Sequence, residues 1–561
     1  MQPASDLDPA RTGPVSTDAA GAGPIATGPI ATGPVATGPI ATGPIAADPL
    51  LPPDRPTVFE RFGRRLRSLP RVGGLWHWLA PALVTLLAAV LRLANLGHPH
   101  ALVFDETYYA KDAWTLAHLG YESKWPEGAD KAFLSGDTMS FLTDGSFVVH
   151  PPLGKWLIAL GYGVFGADTA WGWRLAAALA GTAAVLVLIL IARRLTGSTV
   201  WACIAGLLLA VDGLGIVLGR VALLDGFLML LVLLAFWFVL IDRERMQTRI
   251  ALAATGDDPP AWGPMLWSRP WILAAGAALG AATSVKWSGL YVLAALGIYL
   301  VVTDALTRRR AGIRRWLPDA TLRQGPATFL LLVPVAAIVY LTTWTGWLVT
   351  QGGYDRDSDA NPLLALWNYH QAIYNFHVGL TSGHSYASPA WQWPLLLRPT
   401  SMYWQKTEQG VDGCDMAGGC VQAISSIPNP LIWYAGVGAI VFLAVRLAWP
   451  GTGRSRDWRS AFVLTGVAAT YLPWLLYPER TIFQFYTIVI VPFLILALVL
   501  ALRRIAGPPG APTDRRTSGQ GAVAAFLLVA FAVSVFWYPL WTALEVPYEF
   551  WRLHNWMFSW I

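Results

Sequence analysis

Charge is what this 561-residue chain has least of: 13% of its residues are charged, against 55% hydrophobic. That balance excludes a string of soluble domains, and no stretch carries the amphipathic pattern of an ordinary globular unit. The first 55 residues are not expected to act as a secretory signal, because no positive n-region followed by an apolar core stands there. The membrane part holds no internal repeat, and its charges gather at one face. Both features argue against a secondary transporter, which is commonly built from repeated halves around broken midplane helices. A net charge of +6 raises the question of nucleic acid. Most of the arginines, however, sit in short clusters between apolar runs, the pattern of membrane topology. No nucleic-acid partner is expected. Cysteine is scarce, with three in all. Cys414 and Cys420 share one long loop, where an oxidising compartment favours a small disulfide over two free thiols. Cys203 lies within an apolar run as a packing residue.

What the chain does have is apolar runs of about 17–22 residues, the length that crosses roughly 30 Å of hydrocarbon. They fall at 75–95, 170–192, 199–215, 221–241, 270–286, 288–304, 325–346, 430–448, 461–477, 482–502 and 521–541. The expectation is an all-α polytopic membrane protein with about 11 transmembrane helices. Arg64, Arg65, Arg67 and Arg71 precede the first run and place the N-terminus in the cytoplasm. Strict alternation then puts five further Arg-rich segments inside. It leaves two large extracytoplasmic loops, 96–169 and 347–429, and an extracytoplasmic C-terminus. Residues 1–55 are a separate region carrying a tandem GPIAT-type pentapeptide, which Pro and Gly keep from forming a regular helix. A disordered segment is expected there, followed by one membrane domain over 56–561.

The first outer loop carries two adjacent carboxylates, Asp105 and Glu106, just past the first apolar run. Ionisable groups this close to a bilayer are costly, which marks them as candidate functional residues. Neighbouring helical residues point about 100° apart, so one carboxylate is expected to face a reaction and the other to orient the loop. Capping of the following helix is the competing role. A second motif, His150-Pro151-Pro152-Leu153-Gly154-Lys155-Trp156, leads into an expected interfacial helix with His150 and Lys155 at head-group level. Arg174, Arg220, Asp225, Lys286 and Glu479-Arg480 stand at the outer ends of the runs. Singly, each cation reads as an interfacial anchor. Together they suit an anionic lipid head group beside a general base.

These residues bear a resemblance. The stretches FDETYYAKDAW (104–114), HPPLGKW (150–156), Trp173-Arg174, RVALLD (220–225) and SVKWSGLY (284–291) resemble the protein O-mannosyltransferases of the GT-C superfamily. His377-x-x-Leu380, His384-Ser385-Tyr386-x-Ser388 and Trp391-Gln392-Trp393-Pro394 match as well. The resemblance covers 75–550. It is to the bacterial form, because the central loop is too short for the β-rich domain of eukaryotic members. Gln484-Phe485-Tyr486 stands where those members carry His-His-Tyr, so no role of these histidines carries over.

The resemblance implies transfer of mannose from a polyprenyl-phosphate carrier to Ser or Thr hydroxyls of exported proteins, with inversion. Asp105 is then the catalytic base and Glu106 its catalytic neighbour. Arg174, Lys286 and Arg220 are the expected donor-phosphate contacts, and His150, Lys155 and His384 position acceptor or loop. Two carboxylates can hold Mg²⁺ or Mn²⁺, but cations can stabilise a leaving phosphate instead, so no obligate metal is expected. An outward-facing site acting on unfolded chains also fits coupling to a protein export channel. The competing enzyme reading is a GT-C transferase acting on a lipid or cell-wall glycan.

Overall fold

A computed structural model describes Thr57, Arg61 and residues 75–255, 260–450, 456–508 and 510–561. The pentapeptide region, the boundary at 55/56 and the basic cluster Arg64 to Arg71 lie outside the described residues.

Each of the eleven apolar runs is helical over most of its length. In chain order the principal helices are α1 (Trp76–Leu93), α2 (Glu106–Leu119), α3 (Leu153–Phe165), α4 (Ala170–Thr196), α5 (Thr199–Ala210), α6 (Asp225–Ala253) and α7 (Pro270–Val285). There follow α8 (Gly289–Arg310), α9 (Gly325–Thr343), α10 (Pro362–Gly379), α11 (Pro430–Ala448), α12 (Trp458–Tyr471), α13 (Val491–Ile505) and α14 (Thr513–Thr542). Among the described residues, seven helical stretches are long and apolar enough to cross a membrane alone: α1, α4, α6, α8, Trp316–Thr343, α11 and α14. The other four runs form helices of 12, 16, 14 and 15 residues.

Local chemistry explains several of these shorter helices. The run at 199–215 breaks at Asp212, whose carboxylate accepts from the Gly215 N–H and the Asn429 N–H, both at 3.0 Å. A buried acid satisfied this way starts a new short helix instead of continuing the old one. The run at 461–477 tightens into a 3₁₀ turn at Leu472–Leu476, which contains Pro473. The run at 482–502 opens with a 3₁₀ turn, Gln484–Val489, before Pro492 starts α13.

Packing is tight where small residues line up. On α7, a Cβ at Gly276 would sit 2.6 Å from the Leu332 carbonyl oxygen, and one at Gly280 2.4 Å from that of Ala336. Two glycines four apart thus bring α7 and α9 into backbone contact. α7 also packs on α6, and α4 packs against α1, α3, α5 and α6.

The two long loops carry regular structure. Residues 96–169 contain α2 and α3, the latter a helix over the stretch where one was expected. The 347–429 segment contains α10 and two strands, β1 (Ser401–Thr407) and β2 (Cys420–Ser425). These pair antiparallel, and β2 pairs with β3 (Val546–Pro547) from the C-terminal tail. This three-stranded sheet departs from the all-helical expectation. Cys414 and Cys420 are disulfide-bonded across the loop that joins β1 and β2, as expected. Cys203 is free and half-buried.

Candidate active site

Asp105 occupies the N-cap position of α2 but makes no side-chain capping bond. Its placement starts one residue earlier. Phe104 has a φ of 52°, a left-handed conformation that is uncommon outside glycine. The ring is held edge-on by Phe483 and Phe485, each with centroids 5.6 Å away. Distant aromatic packing therefore holds the turn that presents Asp105. Burial raises the Asp105 carboxyl to about 6, with Asp225 adding to the rise and Lys286 and the Tyr109 hydroxyl opposing it. A carboxyl poised there is ionised at neutral pH yet basic enough to take a proton.

Glu106 has the opposite environment. It is fully buried and accepts four hydrogen bonds. Arg174 donates through Nε and Nη2, both at 2.8 Å. The backbone N–H groups of Val103 and Ala222 donate at 2.9 and 2.8 Å. Such a carboxylate is a fastener between α2, α4 and the segment before α6.

Two of the expected phosphate contacts have their donors engaged within the protein. The remaining Arg174 donors point to the carbonyls of Leu96, Pro99 and Ala101. The Arg220 guanidinium donates to the carbonyls of Leu91, Arg92, Ala94 and Asn95, at the frayed end of α1. Both arginines satisfy orphan carbonyls at a helix end and its following turn. Lys155 is likewise engaged inside the protein. It is buried in an ion pair with Glu122 at 2.5 Å and donates to the His150 carbonyl.

Lys286 is placed as a site cation. Its Nζ bonds Asp225 Oδ2 at 2.7 Å and sits 4.4 Å from the centre of the Tyr486 ring. Tyr486 lies within electrostatic reach of Asp105, Asp225 and Arg480 alike. Asp225, Tyr486 and Arg480 therefore join the site; the sequence grouped Asp225 and Arg480 with the charges at the run ends without giving either a role, and it did not single out Tyr486. The signal was available for two of them: Asp225 closes the RVALLD motif, and Arg480 stands in a turn expected on the outer face.

One histidine holds the second cation. His377 donates from Nε2 to the Val149 carbonyl at 2.8 Å, so its Nδ1 is the free acceptor for Arg480 Nη2 at 2.9 Å. Burial and the neighbouring Arg480 charge lower His377 to about 4, which keeps the ring neutral. Arg480 Nε is buried without a protein partner. His150 lies 5.4 Å from His377 and is held well below its ordinary value by burial, then by Lys286. His384 is exposed, edge-on to Phe483 at 4.9 Å and 6.0 Å from Phe104.

From this cluster an apolar groove of about 710 Å³ runs between α8 and α12. It shares Tyr291, Ala469 and Pro473 with the small space lined by Asp225 and Tyr486. Its α8 wall extends from Tyr291 to Arg310, about 28 Å at 1.5 Å per residue. That is close to the full hydrocarbon thickness of a bilayer. Among the described residues, no cluster of three or more His, Cys, Asp or Glu side chains is arranged to hold a metal.

Two family models match the chain. Residues 149–256 match dolichyl-phosphate-mannose-protein mannosyltransferase, and residues 363–560 match the C-terminal four-span region of protein-O-mannosyltransferase. The polyprenol-phosphate-mannose–protein mannosyltransferase of Mycobacterium tuberculosis is 34% identical over 86% of this chain and 92% of its own length. The chain belongs to the protein O-mannosyltransferase family. The Mycolicibacterium smegmatis family member is likewise 34% identical, over 86% of this chain and 93% of that one. The fold of the O-mannosyltransferases is shared too. The Saccharomyces cerevisiae Pmt1-Pmt2 complex bound to the sugar donor aligns over 89% of this chain and 94% of that chain, with a TM-score of 0.66 at 15% identity.

Proposed function

We propose that this membrane enzyme transfers mannose from polyprenyl-phosphate mannose to Ser or Thr hydroxyls of exported polypeptides on the outer face of the membrane. The observation that carries the reading is one juxtaposition. A carboxyl raised to about 6 stands near Lys286, with Tyr486 within reach of both it and the partly unpartnered Arg480, at the end of a groove as long as the membrane is thick. The relatives named above supply the sugar and the acceptor class.

In this reading the polyprenyl tail lies in the groove and the phosphodiester meets Lys286 and Arg480. The acceptor hydroxyl oxygen attacks the anomeric carbon of mannose as its proton passes to Asp105. The bond from that carbon to the phosphate oxygen breaks, and the phosphate leaves with the electron pair. One displacement inverts the anomeric centre and requires a single base. The two cations meet the charge that develops on the leaving phosphate, so the step requires no metal. Glu106 and Arg174 hold the turn, while His150 and His384 border the space open to the acceptor. An outward-facing site would meet chains as they leave an export channel.

The test is transfer by the purified protein from polyprenyl-phosphate mannose to a Thr-rich peptide. Wild-type protein is expected to label the peptide, and Asp105→Asn to insert normally and label nothing. Label appearing in lipid or glycan instead would favour the competing acceptor class. Near-normal transfer by Asp105→Asn would remove the base assignment.

A further inference from the structure

The groove has a second end, far from Asp105, and cations line it there too. Most arginines at that end are already partnered. Arg269 bonds Asp242, Arg308 bonds Asp304 and Asp319, and Arg503 donates to the Thr196 carbonyl. Asp457, the acid on the groove wall, is engaged by Arg459 and Arg504.

Arg243 differs. It is 6% exposed, and among the described residues its side-chain partners are uncharged: Gln247 at 3.4 Å and the Tyr299 hydroxyl, with no acid paired to it. Its guanidinium is stacked on Trp458 with Cζ 3.7 Å from the ring centre, which fixes it at the groove wall. Arg310, also on the groove wall and exposed, makes no side-chain bond among the described residues. The two positive charges are close enough to repel. One fixed and one exposed guanidinium on the wall of an apolar channel, with the acid of that wall, Asp457, already engaged by Arg459 and Arg504, are arranged for an anion. The channel leading away from them is apolar along Leu306, Val302 and Ile298.

We infer that this end of the groove binds an anionic phospholipid, its phosphodiester on Arg243 and Arg310 and one acyl chain in the groove. The site is separate from the donor-phosphate site by about 28 Å of helix. It stands whether or not the sugar acceptor is protein. Its occupant enters from the opposite leaflet and limits how far a polyprenyl tail can reach along the groove.

The experiment offers full-length protein in detergent a phosphatidylglycerol or a phosphatidylcholine with identical acyl chains, and counts retained lipid by native mass spectrometry. Wild-type protein is expected to retain one phosphatidylglycerol in preference to phosphatidylcholine by about tenfold, the ratio one charge-assisted bond supplies. Arg243→Gln/Arg310→Gln is expected to lose that preference. Arg310→Gln alone changes an exposed side chain, leaves folding intact, and is expected to lose part of it. Equal retention of the two lipids, or an unchanged preference in both variants, overturns the inference. So does loss of the preference in Arg480→Gln, which would place the lipid phosphate at the other end.

Discussion

Replacing Glu106 with Gln separates the two carboxylates by what each is for. The substitution keeps the shape but removes the charge from a fully buried group that accepts four bonds. One oxygen becomes an NH₂, and a donor then faces donors from Arg174 or from the backbone. Arg174 also remains buried without its counter-charge. Breaking a buried, hydrogen-bonded ion pair from one side costs about 3–5 kcal/mol, a large part of a typical folding free energy. Glu106→Gln is therefore expected to lower the thermal midpoint of the solubilised protein sharply, followed by tryptophan fluorescence or by survival on size exclusion. Transfer by the fraction that stays folded should be reduced less than in Asp105→Asn, which should melt like wild type. A double variant, Glu106→Gln with Arg174→Met, removes both charges and should regain part of the lost stability, the signature of a coupled pair. The reasoning fails if Glu106→Gln melts at the wild-type temperature while transfer is abolished. Glu106 would then be acting on the reacting atoms.

The pH profile of kcat/KM tests Asp105 directly. A base works ionised, so with its carboxyl raised to about 6 the rate should climb through that pH and level off above it. Lys286→Met removes an influence that lowers this value and should move the limb up, whereas Asp225→Asn should move it down. Arg480→Gln should raise the KM for the polyprenyl donor about tenfold or more, as expected for one lost charge-assisted bond, with the peptide KM little changed; an equal effect on both would remove it as a phosphate contact. Lys155→Met strands Glu122 in the interior and should destabilise the protein by about 3–5 kcal/mol, read as a lower thermal midpoint with the acid limb unmoved.

Apolar runs made the helices legible, because length and composition alone decide whether a segment suits hydrocarbon. The same rule does not tell where a run breaks. Asp212 and Pro473 interrupt two runs through capping and ring geometry that a window average hides. The acidic pair was legible as a site, but the division of labour within it depended on Arg174 and on the Ala222 N–H, more than 60 residues away. The cations were harder. Nothing in the local sequence distinguishes an arginine whose donors are consumed by carbonyls at a helix end, such as Arg220, from one with a donor lacking a protein partner, such as Arg480. The small sheet escaped because its third strand is two residues long and comes from the far end of the chain.

The Phe104 clamp has a consequence for biogenesis. The ring that sets Asp105 in place rests on Phe483 and Phe485, and the site's cations arrive at positions 286 and 480. A growing chain that has inserted only its first helices carries the base but neither its support nor its partners. The reactive arrangement is thus completed late in synthesis, after all but the last two principal helices have been made. Truncated products left in the membrane by interrupted translation would be catalytically silent, leaving a mannosyl donor in the bilayer untouched.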